Sequence, residues 1–349
     1  MLMLLLLGPA CSPPPGGDSP DSAVDTSDSQ ETSSVPGIVP PPWESEAAVF
    51  TLPEGRGRTG FVLDETFSMA SFAVPQLFVA PDGRFGMMVT DMRGTDTFVS
   101  RSVVYSDDGV DWDDASVLIE PRAWPSGCGA RLEDGAVWHR GEGVWLYIVV
   151  GTDAVEVGSQ GKRVFCQATT TDGVNFETAA DPLYTGSYDG DLISVPAILP
   201  VEDGDGHLFF NGDLLTDPGI RIATVDVTTL AVDVLTPAPI LPATAVDPNP
   251  VYLAEGGLGL FHTWADPADP DFTGLAWARL DEDGVAIDGA DDAVLRSPGV
   301  CGKERLGACY VDPTYATLPD GRLALYFGEW TTAEDGSYSV AVRRAFSVD

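Results

Sequence analysis

Three aspartates stand at the same point of a repeating pattern and could do acid–base chemistry together. Asp134 precedes Gly-Ala-Val-Trp, Asp247 precedes Pro-Asn-Pro-Val, and Asp312 precedes Pro-Thr-Tyr-Ala. In two further copies of the pattern Val74 and Val195 take the equivalent place. Carboxylates forced together raise one another's pKa, so a protonated acid and an ionised base can coexist near neutrality. The plainer alternative is that each aspartate starts a strand and caps local amides. Glu304 and Glu329 are reserve candidates for the acid. Trp138, Trp264 and Trp330 lie near hairpin ends, where an indole could stack on a sugar ring or pack into a core.

The elements that would carry these residues are β-hairpins. Tyr310–Trp330 reads as an apolar run, a Pro-Asp-Gly turn and a second apolar run, with glycine where a tight turn demands positive φ. Similar hairpins begin at 74, 134, 195, 247 and 312, at intervals of 60, 61, 52 and 65 residues. A loose period near sixty with strands about every ten residues marks a radial β array. The 304 residues from Glu46 onward accommodate five such units. The expected fold is therefore all-β, a single-domain five-bladed propeller over 46–349. Equivalent innermost positions would converge on its central channel. Ala47–Leu52 is expected to add a strand to the last blade, beside Tyr338–Phe346.

Charge narrows the partners. Fifty-four acidic residues against 18 basic ones give −36, and Lys162 and Lys303 are the only lysines. Nucleic acid is excluded on this balance, since phosphate binding rests on clustered Lys and Arg. No apolar run reaches the roughly 18 residues of a membrane span. Four cysteines besides Cys11 are expected to form two disulfides, Cys301–Cys309 and Cys128–Cys166. No CxxC occurs and His139, His207 and His262 are scattered, so a metal site is not expected.

The chain opens with the apolar run Met1–Ala10 directly before Cys11. This resembles a bacterial lipoprotein signal, although it lacks basic residues and carries Gly8-Pro9-Ala10 before the cysteine. The expectation is a signal peptide over 1–10, lipidation at Cys11, and a disordered tether of Pro, Ser and Asp over 11–45. The protein would be exported and held at the bacterial envelope, in contact with membrane through the lipid anchor alone.

Ser106-Asp107-Asp108-Gly109-Val110-Asp111-Trp112 and Thr170-Thr171-Asp172-Gly173-Val174-Asn175-Phe176 resemble Asp-boxes, which brace propeller hairpins. With five blades and Asp-Pro at innermost strands, the layout over about 50–349 resembles the five-bladed propeller glycosidases. These are the arabinanases and β-xylosidases of glycoside hydrolase family 43, with their invertase and levansucrase relatives. Sialidases fit less well, since Ala73-Val74-Pro75 stands where their Arg-Ile-Pro would be. The resemblance implies a base, a pKa-tuning aspartate and an acid from the first, third and fourth blades. Here the acidic blades are the second, fourth and fifth. Shifted by one blade, Asp134 would be the base, Asp247 the tuner and Asp312 the acid, an aspartate replacing the family's glutamate. The function so implied is hydrolysis of arabinose-, xylose- or fructose-containing glycans by a monomer without cofactor, with an axial cation such as calcium compatible. The alternative is a non-catalytic propeller that binds glycan or protein.

Overall fold

The structure is a computed structural model. It describes residues 51–52 and 60–348, except 94–99, 118–123, 130, 141–142, 153–161, 187–191, 201–204, 213–216, 227, 236–237, 242–243, 255, 267–268, 282–285, 300–306 and 336. The expected signal peptide, Cys11, the expected tether and Ala47 to Phe50 lie outside the described residues.

Five antiparallel sheets make five blades. The first is Phe72–Val79, Phe85–Asp91, Ser100–Ser106 and Ser116–Val117; the second is Arg131–His139, Trp145–Thr152, Arg163–Thr170 and Glu177–Thr178. The third runs Ser194–Pro200, Gly206–Gly212, Gly219–Val225 and Val232–Val234. The fourth is Ala245–Leu253, Leu258–Asp266, Asp269–Leu280 and Ala286–Arg296. Gly307–Thr317, Leu323–Thr332 and Tyr338–Ser347 begin the fifth. The first strand of each blade touches the first strand of the next, around a closed ring.

The ring closes differently from expectation. Phe61–Leu63, not Ala47–Leu52, supplies the fourth strand of the last blade, with Leu63 opposite Ala345. Its alternation explains the choice: Phe61 is buried while Val62 faces solvent, the pattern of a half-buried outer strand. Thr51–Leu52 instead runs parallel to the far end of the fourth blade's inner strand, beside Tyr252 and Leu253. Arg344 fastens the closure. It donates to Asp64 at 2.6 Å and to the Val110 carbonyl at 2.7 Å, joining the last blade to the first.

Apolar side chains on both faces of the middle strands form one core cluster per blade interface. Such two-sided burial is why Trp145–Thr152 and Phe85–Asp91 read as nearly continuous apolar runs. Cys128 and Cys166 are joined, with Cα atoms 5.9 Å apart. Cys309 is also disulfide-bonded, and its expected partner Cys301 lies outside the described residues.

Both Asp-boxes hold turns. Asp108 accepts the amides of Val110 and Asp111 at 2.7 and 3.0 Å, and Asp172 accepts those of Val174 and Asn175 at 2.8 Å each. Trp112 folds edge-on against Tyr326 and Phe176 against Tyr147. These carboxylates are structural.

Candidate functional site

Every innermost strand carries a β-bulge at the same height. The pairing skips between Ala73 and Gln76, Leu132 and Gly135, Ser194 and Ala197, Val246 and Asn249, and Val311 and Thr314. The first bulge residues are thus Val74, Glu133, Val195, Asp247 and Asp312. Four of them take left-handed backbone, with φ of 48° at Val74, 45° at Val195, 58° at Asp247 and 53° at Asp312. A valine held at positive φ is strained, and such strain persists only where surrounding structure fixes it. Proline follows each of these four and cannot take part in ladder pairing.

The second blade departs from the equivalence expected of the three aspartates. Its first bulge residue is Glu133, and Asp134 stands where the other blades have proline. The Asp134-Gly135 pair looks like the Asp-Pro openings, but it lies one residue further along its strand. Glu133 is tied to Arg163, which donates from Nε at 3.0 Å. Asp134 Oδ2 accepts the Val195 amide at 3.2 Å, across the boundary to the third blade.

This cross-blade capping recurs. The Asp247 amide donates to Asn211 Oδ1 at 3.0 Å, and the Asp312 amide donates to Thr263 Oγ1 at 3.0 Å. In each case a side chain from the preceding blade satisfies an amide that the bulge removes from the ladder. Asp134 thus caps an amide, but one on the neighbouring blade rather than the local amides of its own strand. Asp134 is also half-buried in the same electrostatic neighbourhood as the other two carboxylates.

Asp247 and Asp312 are 7% and 9% exposed. Burial pushes Asp312 well above the usual carboxylate range, and the neighbouring charges of Asp247 and Asp134 add to it. Burial also raises Asp247, against hydrogen bonds from Thr263, Asn211 and the Asp312 amide that favour its ionised form. Asp134 is raised to about 6, by burial and then by Glu133, with Arg101 opposing. The structure thus brings the three expected aspartates into one interacting group, in which burial and neighbouring carboxylates raise each of them, Asp134 to about 6 and Asp312 well above the ordinary range.

The tryptophans divide. Trp138 is 2% exposed and packed with Ile198, Leu208 and Phe210 between the second and third blades, so neither face is open to a sugar. Trp264 is likewise buried. These two indoles therefore pack in the core rather than facing the solvent side where a sugar was expected. Trp330 is partly open. It packs beside Val74, Met92 and Val340 and lies nearly parallel to Tyr338, which is 44% exposed. A Cβ at Gly328 would come within 3.5 Å of both Asp312 Oδ2 and Trp330 Nε1, so glycine there keeps the space between acid and indole clear.

Glu329 is paired with Arg343 at 3.1 Å, and Glu304 lies outside the described residues. Among the described residues no group of three His, Cys, Asp or Glu side chains is placed to hold a metal ion. Sequence reasoning missed Glu133, Asn211, Thr263 and Arg101. Asn211 had a faint signal, as a polar residue closing the apolar run His207–Phe210 at a strand end.

No family model and no curated protein matches the chain. Solved structures do. A thermostable family-43 glycoside hydrolase superposes with a TM-score of 0.58 at 14% identity, over 79% of this chain and 90% of that one. An α-L-arabinofuranosidase from Lactobacillus brevis gives 0.55 at 10% identity, covering 81% of this chain and 92% of the other. A sucrose-6-phosphate hydrolase from Lactobacillus gasseri gives 0.55 at 13% identity, over 82% of this chain but only 60% of its own. At such identities the likeness is one of fold, and the fold is the five-bladed propeller of the family 43 and family 32 glycosidases.

Proposed function

We propose that this protein is a glycoside hydrolase of extracellular glycans built from arabinose, xylose or fructose. Asp312 is the acid, Asp134 the base and Asp247 the tuner. The observation that carries this reading is the group itself: three interacting carboxylates from three blades, with Asp312 raised well above the ordinary range by burial and its neighbours and Asp134 raised to about 6. Glycoside cleavage needs an acid and a base of this kind. Asp312 gives its proton to the leaving oxygen while Asp134 accepts a proton from the attacking water. Asp247 keeps Asp312 protonated by its charge.

Aryl arabinofuranosides, aryl xylosides and fructans, offered to wild type, Asp134→Asn and Asp312→Asn, test the assignment. Loss of about 10²–10⁴-fold in each variant is expected for removal of a general acid or base. Full activity in either variant would remove that residue from its role.

A binding propeller is the second reading. Val74 and Val195 favour it, because they leave two of the five axial positions apolar. Wild type that binds these glycans without cleaving any of them would establish it.

The apolar start, Cys11 and the Pro/Ser/Asp-rich segment support export and a lipid anchor. Cys11→Ala should move the protein from the membrane to the soluble fraction. An unchanged distribution would place the anchor elsewhere.

A further inference from the structure

Among the described residues, the buried arginines have carboxylate partners, with one exception. Arg163 meets Glu133 at 3.0 Å, Arg221 meets Asp217 at 3.0 Å, and Arg344 meets Asp64 at 2.6 Å. Arg101 is 1% exposed and no carboxylate hydrogen-bonds it. It lies on the third strand of the first blade, in line with Thr90 and, one strand further in, Ala73. From there its side chain reaches inward. Nη1 donates to Thr90 Oγ1 and Nη2 to the Val74 carbonyl at 3.3 Å, while Nε has no partner.

Burying a guanidinium without a paired anion costs several kcal/mol, so such a group is rarely kept for stability. Its compensation lies at longer range. The opposite charges that act on Arg101 are Asp134 and Asp312. It therefore stands behind Val74, on the blade whose inner strand touches those carrying Asp134 and Asp312, and the Thr90 hydroxyl it bonds donates in turn to the Glu133 carbonyl beside Asp134.

We infer that Arg101 is a positioning residue of the carboxylate group: its fixed charge, lodged behind Val74, divides the roles of base and acid between Asp134 and Asp312. This rests on the proposed hydrolase reading. The charged groups acting on Asp134 are Glu133 on its own strand, Arg101 from the first blade, Arg163 from the second, Asp247 from the fourth and Asp312 from the fifth. Arg163 is already engaged by Glu133. Arg101 is the cation left to oppose Asp247 and Asp312. Without it, Asp134 should hold its proton to higher pH and lose its ability to act as base.

The test uses Arg101→Met, Arg101→Gln and Arg101→Lys in the full chain. Two measurements are needed: the carboxyl titration of Asp134 by ¹³C NMR, and the pH dependence of kcat/KM. Loss of the charge in the Met and Gln variants should move the Asp134 titration and the acidic limb of kcat/KM upward by about one unit. At pH 5 that is roughly a tenfold loss of kcat/KM. Lysine should restore most of both. If Arg101→Met does not fold, the comparison of Gln with Lys carries the test. An Asp134 titration unchanged in a folded, charge-free variant overturns the inference. Wild type that cleaves nothing defeats the hydrolase reading alone, since the titration is read without turnover.

Discussion

Asn211 and Asp247 hold each other across the boundary between the third and fourth blades. Asn211 Nδ2 donates to Asp247 Oδ1 at 3.1 Å, and the Asp247 amide donates back to Asn211 Oδ1 at 3.0 Å. The pair satisfies a bulged amide and fixes a carboxylate whose backbone sits at positive φ. One residue thus secures both the strained main chain and the orientation of the Asp247 carboxylate.

Asn211→Ala should break both bonds and leave a buried amide unpaired. The expected loss is about 1–3 kcal/mol of stability. Asp247 also loses a donor that favours its ionised form, so its carboxyl should titrate at higher pH. Chemical denaturation and carboxyl NMR check these two effects. A variant with wild-type stability would mean that the amide finds water instead.

The acidic group should make stability fall as pH rises. Asp312 has a folded pKa raised above its unfolded value, so its contribution is complete below about pH 3.8 and is lost as pH rises through the folded value. Asp134 behaves alike between about pH 3.8 and 6. Asp312→Asn should therefore melt higher than wild type at pH 8 and show little gain at pH 4. Thermal melts at the two pH values test the sign. A variant less stable than wild type at pH 8 would show that the carboxylate is better paired than its surroundings indicate.

The second disulfide position gives a cleaner number. Cys128–Cys166 closes 38 residues of the second blade. Constraint of a loop that size in the unfolded chain corresponds to about 4 kcal/mol. Replacing both cysteines by serine should lower the denaturation midpoint accordingly, with kcat/KM little changed because the bridge lies in the core between the first two blades. An unaltered midpoint would mean that the surrounding core supplies the restraint on its own.

The propeller was readable because its signals are local and repeated: hairpin turns, two-sided apolar strands, and a period near sixty. The three aspartates were readable for the same reason, through their positions near the starts of inner strands. Asp134 shows the limit. A one-residue offset within a bulge changes which side chain occupies the equivalent place, and Asp-Gly cannot be told from Asp-Pro by pattern alone. The ring closure was misplaced because Ala47–Leu52 and Phe61–Leu63 are both short apolar runs, and pairing across the whole chain decides between them. Arg101 left no trace in sequence, since an arginine beside an apolar strand normally belongs to the surface.

The tryptophans offer the sharpest separation of site from core. Trp138→Ala opens a cavity between the second and third blades and should cost about 3–5 kcal/mol, with activity lost only as the protein unfolds. Trp330 differs because it is only partly buried, packed against Val74, and Gly328 keeps the gap to Asp312 clear. A sugar held against Asp312 would lie along that indole, and such stacking is worth about 0.5–1.5 kcal/mol. Trp330→Ala should therefore raise KM by roughly two- to tenfold with kcat changed far less, and the melting point should move by only a few degrees. Tyr338→Ala, which removes the outer half of the same pair, should show a smaller shift in the same direction. Initial rates over a substrate series, beside thermal melts, distinguish the cases. If Trp330→Ala leaves KM unaltered, or if it melts as early as Trp138→Ala, the indole belongs to the core and the sugar lies elsewhere on the ring.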